Sequence, residues 1–284
     1  MTGTIETFLR GRSPAPGLYV ERGGTQPTME ALRWATELRA MLDLAPRVKE
    51  EGLALVAACL RSSGAYAGSP DRPEPALDAT YYATKVLALA GDPRRLTPQL
   101  ATWLSGVVFG PSGNVRLDVD ELFYAVRAME FAGQSLDAGQ AHRVATFVRA
   151  CADPGGGFGL LPGAAPDIER TYCCVLMLGL LTGWSAPAEH RAFVAACLRD
   201  GLFLFRPGDP AGPSLAAQYW GLRAARLAGV PVAGEALRAY VAGLRNDDGG
   251  YGVRGGGPGR GSTLWESYCA LRVSALLDEG EAAA

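Results

Sequence analysis

The chain repeats itself with steps of 42 to 49 residues, and that period dictates its architecture before any single motif is read. Six times a helix rich in alanine and leucine runs into a loop rich in glycine, proline or serine, and a second helix follows. The second helices read MEALRWATELRAML from Met29, LDATYYATKVLALAG from Leu77 and DVDELFYAVRAMEFAG from Asp118. DIERTYCCVLMLGLL from Asp167, SLAAQYWGLRAARLAG from Ser214 and TLWESYCALRVSALL from Thr263 complete the set. Tyr81, Phe123, Tyr172, Tyr219 and Tyr268 hold one register position. Such a period means one supersecondary unit copied along the chain, and departures from it mark where function sits.

No linker or charge run separates the copies, which predicts one domain over residues 1–284. A net charge of −2 with no basic block gives no electrostatic case for nucleic acid or an anionic membrane. The longest apolar stretch, Tyr172 to Trp184, is too short to span a bilayer. Cys59, Cys151 and Cys197 recur near the ends of first helices, and Cys173, Cys174 and Cys269 lie inside second helices. They read as small buried residues rather than a disulfide framework. Without a secretory signal pattern, the expected compartment is a reducing cytoplasm.

First helices are expected near 4–10, 47–62, 97–108, 138–151, 187–199 and 233–245. Leu53, Val56, Ala57 and Leu60 recur at helical spacing, as do Val144, Phe147 and Val148. No run alternates as a significant strand would. Second helices apolar nearly all round predict an inner ring covered by an outer one, around a central cavity.

GGGFGLLPGAAPDIERTYCCVLML and DDGGYGVRGGGPGRGSTLWESYCALRV resemble the repeats shared by protein prenyltransferase β subunits and by squalene and class II diterpene cyclases. The resemblance implies an all-α (α/α)6 toroid.

The third repeat departs from the others by opening Asp118-Val119-Asp120-Glu121, three acids in four residues. DVDELFYAVRAM resembles the Asp-x-Asp-Asp segment of class II cyclases, with Glu121 replacing the last Asp. The resemblance implies that Asp120 is a general acid that protonates an alkene or epoxide, tuned by Asp118 and Glu121. Clustered carboxylates cannot all ionise cheaply, a dry cavity protects a carbocation, and aromatic faces stabilise it. Asp120, Phe123, Tyr124 and Arg127 are spaced to share one helical stripe. The other reading is a helix start: Asp118 is a good N-cap, and acids favour a first turn.

Trp34, Tyr82, Tyr172, Trp220, Trp265 and Tyr268 stand at or beside the register position, as core packing or as the lining of an aromatic chamber. Asp167 and Glu169, with Arg170, form either a second acidic edge of that chamber or a helix start with a local ion pair. Protein prenyltransferases bind zinc through an Asp, a Cys two residues later and a distant His. Here Glu169 replaces the Cys, Trp265 stands near the His position, and His142 and His190 are expected to face outward from first helices. No metal site follows from that pattern. The glycine loops carry no phosphate-binding fingerprint and read as hairpin turns; Arg116, Arg170 and Arg254 lie near them, and proximity is all that suits these arginines to a diphosphate.

The expected function is a class II terpene cyclase-like enzyme that needs no metal or other cofactor and cyclises or isomerises a small hydrophobic isoprenoid by protonation. Family cyclases place their site between two helical domains, so a second protein or subunit can complete this one. Rival readings are a Mg²⁺-dependent transferase using a prenyl diphosphate, and a noncatalytic toroid that binds a ligand or partner. The composition suggests a high-GC bacterium, and the resemblance suggests secondary metabolism.

Overall fold

The computed structural model describes residues 4–92, 97–110, 113–184, 188–252 and 261–281. Among them, α1 (Ile5–Gly11), α3 (Glu50–Cys59), α5 (Pro98–Val108), α7 (Ala138–Ala150), α9 (Ala188–Ala196) and α11 (Gly234–Gly243) are the first helices. The second helices are α2 (Met29–Met41), α4 (Leu77–Ala90), α6 (Val119–Phe131), α8 (Ile168–Thr182), α10 (Leu215–Ala228) and α12 (Leu264–Glu281). The only strands among the described residues are β1 (Leu198–Arg199) and β2 (Leu202–Phe203), an antiparallel pair.

Local chemistry sets the ends of the second helices. Thr28, Asp167 and Ser214 cap α2, α8 and α10 by accepting the N–H three residues on, which satisfies a donor that the helix leaves unpaired. Gly91, Gly183 and Gly229 end α4, α8 and α10 in the left-handed region, at φ of 66° to 68°.

The loop between the two helices of a repeat is pegged by one side chain of the second helix. Tyr66 N–H donates to Thr80 Oγ1 at 3.0 Å, Phe158 N–H to Thr171 Oγ1 at 3.0 Å, Phe203 N–H to Gln218 Oε1 at 2.7 Å, and Tyr251 N–H to Ser267 Oγ at 2.9 Å. Each acceptor stands four residues after the first residue of its helix start, and the third repeat has Leu122 there. The first helical N–H then reaches forward to the next repeat's loop: Met29 to Gly68 O, Val119 to Leu160 O and Ile168 to Phe205 O, at 2.9 to 3.1 Å.

The chain divides into two compact units, one of residues 1–107, 124–135 and 244–271, the other of 108–123, 136–243 and 272–284. In the first unit, α2 packs against α4 and α3 lies on α2. Met29, Leu32, Leu38 and Leu87 are fully buried between them. In the second unit, α8 packs against α10, while α7 covers α8 and α9 covers both. Tyr172, Tyr219, Phe158 and Phe203 fill that core. Phe203 lies so close over α10 that a Cβ on Gly221 would stand 2.1 Å from its Cγ. Burial of one large apolar side chain stabilises by ~1.5–3 kcal/mol. Second helices are therefore the inner layer of each unit and first helices its cover, as expected.

Three details differ from expectation. The buried face of α3 is Gly52, Leu55, Val56 and Cys59, whereas Ala57 and Leu60 are exposed. The helix ends at Cys59, and Leu60 turns into a bridge with Tyr66, so it never joins the stripe. Likewise α9 stops at Ala196 because Leu198 and Arg199 pair with Phe203 and Leu202. His190 does not face outward. It is buried, stacked on Phe158 at 4.5 Å, and its Nδ1 is hydrogen-bonded to Gly156 O. The glycines of that loop make the space: a Cβ on Gly156 would meet Glu189 O at 2.0 Å.

All six cysteines are buried. Burial pushes the thiols of Cys59 and Cys151 up to about 11 and that of Cys197 up to about 12, which leaves them unreactive packing residues.

Candidate active site

The acids of the third repeat separate into two roles. Glu121 N–H donates to Asp118 Oδ1 at 2.9 Å, and Asp118 N–H donates to Glu121 Oε2 at 3.3 Å. This reciprocal capping box uses both side chains to satisfy the helix end. Asp120 points elsewhere. Arg170 Nε donates to its Oδ1 at 3.1 Å and Arg170 Nη2 to its Oδ2 at 2.5 Å, a two-pronged ion pair between α6 and α8.

Arg170 gathers the other acids as well. Asp167 caps α8 through Oδ1, which accepts Arg170 N–H at 2.9 Å, while its Oδ2 accepts Arg170 Nη1 at 3.1 Å. Glu169 Oε2 lies 3.6 Å from the same Nη1, an ion pair without a hydrogen bond. One guanidinium therefore faces three carboxylates. Burial alone would lower Arg170, but Asp120 and Asp167 more than offset it and hold the guanidinium firmly charged. Burial pushes Glu169 up to about 7; Arg170 opposes this, while Asp120 and Asp167 add to it. Asp167 is raised by burial in spite of its bonds.

The same stretch of α8 carries an aromatic wall. Tyr172 meets Phe123 at 6.3 Å and Trp220 at 5.3 Å, and Trp220 meets Tyr219 at 4.5 Å. Arg223 lies over the Tyr172 ring at 4.4 Å and is hydrogen-bonded to the Tyr219 hydroxyl. Cys173, one turn beyond Glu169, feels Glu169, Asp120 and Arg223. Acids and aromatics of the second unit are thus contiguous.

The expected residues of the first unit form a different arrangement. Trp34 lies 4.5 Å from Trp265 and 4.8 Å from Tyr268, and Tyr82 lies 6.1 Å from Tyr124. Their common centre is Arg33, whose guanidinium sits 3.5 Å over Trp34 and within 5.0 Å of Tyr81 and Tyr82. Glu37 bridges Arg33 Nε at 2.7 Å and Lys85 Nζ at 2.6 Å. Burial would raise Glu37, but the two cations hold it down at about 2. Burial would also raise Tyr81, yet Arg33 and Lys85 bring it below its ordinary value. Residues 119–123 of α6 belong to the second unit and 124–131 to the first, so Asp120 and Phe123 contact α8 while Tyr124 stacks on Tyr81.

Arg33, Glu37 and Lys85 were not singled out in the sequence, although a charged pair four residues apart inside an apolar helix was a usable signal. Asp78 and Tyr82 line a cavity of about 610 Å³ at the starts of α2 and α4, with Glu30, Arg72 and Glu74. Arg254 lies outside the described residues. At the start of α8, both Asp167 oxygens are engaged by Arg170, and Glu169 stands two residues on.

The model of the prenyltransferase alpha-alpha toroid domain matches residues 23–108 and 114–283. The chain belongs to that family. No curated protein matches the sequence significantly. Candida albicans protein geranylgeranyltransferase-I, complexed with GGPP, is similar over 89% of this chain and 85% of its own, at 13% identity and a TM-score of 0.69. The type II terpene cyclase MstE from Scytonema is similar over 98% of this chain and 96% of its own, at 13% identity and a TM-score of 0.64. A glycosidase is similar over 96% of this chain and 95% of its own, at 14% identity and a TM-score of 0.62. The toroid thus hosts several chemistries, and the fold alone does not select one. No helix among the described residues is long and apolar enough to cross a membrane.

Proposed function

We propose that this toroid is a single-domain, acid-initiated cyclase or isomerase of an isoprenoid or similar polyunsaturated hydrophobic substrate. The observation that carries the reading is the cluster of Asp120, Asp167 and Glu169 on one guanidinium, beside the aromatic wall of Phe123, Tyr172 and Trp220. Excess negative charge attracts a carbocation, aromatic faces stabilise it, and a buried acid can supply the proton that creates it. The MstE neighbour supports the substrate class, since it is known in complex with geranylgeranyl dihydroxybenzoate as substrate. Asp118 and Glu121 act in this reading by fixing the helix end that presents Asp120. Trp34, Tyr82, Tyr124, Trp265 and Tyr268 form a separate aromatic set within the first unit that can contact a hydrophobic ligand, and a second protein surface can complete the site.

The test is incubation with C10, C15 and C20 polyprenyl alcohols, arenes and epoxides in D2O with EDTA. Cyclised product carrying one deuterium at the protonated carbon is expected. Turnover that requires Mg²⁺ and releases diphosphate would identify a prenyl transferase instead. Tight ligand binding with no turnover of any probe would identify a noncatalytic binder.

A further inference from the structure

We infer that Glu169, not Asp120, carries the proton that this site transfers, and that the Asp120–Arg170 pair is its fixed counter-charge. The acceptor in this inference rests on the cyclase reading above; the place of the proton does not.

The geometry distinguishes the three acids. Asp120 has both oxygens in the Arg170 fork, and Asp167 has one oxygen on the Arg170 N–H and the other on Nη1. Every Arg170 N–H that reaches an acid at hydrogen-bond distance is used by those two. Glu169 keeps only a 3.6 Å contact with Nη1, and among the described residues no hydrogen bond to its oxygens stands beside it. Two carboxylates already exceed the charge of one guanidinium, and a third, half-buried beside them, is most cheaply accommodated with its hydrogen. The resulting carboxyl titrates at about 7, so much of it is protonated at neutral pH.

The charged and titratable groups around it come from three helices and the loop between β2 and α10. Asp120 faces it from α6, and Asp167, Arg170 and Cys173 from the start of α8. Arg206 acts on Asp167, and Arg223 of α10 acts on Cys173. Glu169, Tyr172 and Cys173 share one face of α8 at spacings of three and four, which puts the carboxyl on the face that bears the aromatic wall.

In the step this permits, the Glu169 O–H bond breaks. An alkene π pair takes the proton to form a C–H bond, leaving a carbocation on the other alkene carbon. A second alkene π pair closes the ring. Loss of a proton from the carbon next to the final cation, to the Glu169 carboxylate, restores a double bond and the acid. The net reaction is an isomerisation that needs no co-reactant. The charge that makes Glu169 hold its proton also attracts the cation formed when it lets go.

The experiment compares wild type, Glu169→Gln and Asp120→Asn in two readouts. Infrared difference spectra between pH 5 and 9 should show a carboxylic C=O band that titrates near 7. The band should vanish in Glu169→Gln and move to lower pH in Asp120→Asn, where a repelling charge is lost and Arg170 is released. Deuterium transfer to the polyprenyl probe should fall ~10²-fold or more in Glu169→Gln. A band that survives Glu169→Gln and vanishes in Asp120→Asn overturns the inference, as does deuterium transfer in Glu169→Gln within tenfold of wild type. A titrating band that depends on Glu169, without turnover of any probe, upholds the place of the proton and overturns the cyclase reading alone. Glu169→Gln keeps the shape of the side chain, and unchanged far-ultraviolet circular dichroism verifies its fold.

Discussion

The Thr171 hydroxyl accepts the backbone N–H of Phe158 at 3.0 Å and donates to the Asp167 carbonyl at 2.6 Å. Thr171 is fully buried, so neither group has water to fall back on. Thr171→Val should destabilise the protein by ~1–3 kcal/mol, the cost of leaving a buried N–H unsatisfied. Thr171→Ser should retain most of that stability. Urea denaturation midpoints measure both, and a Val variant equal to wild type would show that the peg contributes nothing.

Glu37 is the only carboxylate bonded to both Arg33 and Lys85 among the described contacts. Glu37→Leu should therefore cost ~3–5 kcal/mol, because buried Arg33 and partly buried Lys85 lose their shared carboxylate. The sign of the pH effect follows from the depressed value of about 2 against an ordinary 4.5. Stability from this group is present above 4.5 and is lost as pH falls from there towards 2. Thermal melts between pH 7 and 2.5 should show an acid-side loss for wild type that is much smaller in the variant.

Glu169 has the opposite sign. Its value in the folded protein, about 7, lies above the ordinary 4.5, so the native state binds the proton more tightly than the unfolded chain does. Stability from this group is complete below 4.5 and is lost as pH rises through 7. Glu169→Gln should melt above wild type at pH 8 by several degrees, at ~2–4 °C per kcal/mol for a chain of this size, and the gap should close by pH 5. An equal gap at both pH values would count against a protonated Glu169.

Gly156 has φ of 102°, and its Cβ position is taken by the Glu189 carbonyl at 2.0 Å. Gly156→Ala should cost more than ~3 kcal/mol, from backbone strain and from displacing α9 together. His190 should become exposed as its bond to Gly156 breaks, and its ring resonances should shift in NMR spectra. An alanine variant with unchanged His190 resonances would refute this packing.

Most starts of the second helices were legible because a capping residue marks them locally; α4, after Ala76, has none. Expected starts at Asp167, Ser214 and Thr263 fall one residue before the helices that begin at Ile168, Leu215 and Leu264, the difference being the capping residue itself. First helices were expected too long: Arg47 to Ser62 contains only Glu50–Cys59. Helical periodicity cannot register the bridge from Leu60 to Tyr66, which is made by backbone. The capping use of Asp118 and Glu121 was one of two readings open from spacing alone, and hydrogen bonds now describe it. The Arg170 fork on Asp120 joins residues 50 apart, and nothing in either segment announces which arginine will reach which acid. Arg33 was hidden for a related reason: its neighbours Trp34, Tyr82 and Tyr268 were visible as aromatics, but not the cation they surround.

Two kinds of bond recur at the starts of second helices, and α8, which carries both, shows the timetable they impose. The Thr171-type bond is complete within its own repeat, so it can form as soon as that hairpin leaves the ribosome. The N–H of Ile168, by contrast, waits for Phe205, and that of Met29 for Gly68, in segments synthesised later. The α8 hairpin thus emerges latched but with one hand outstretched for its successor, an order of bond formation that favours assembly from the amino terminus onward.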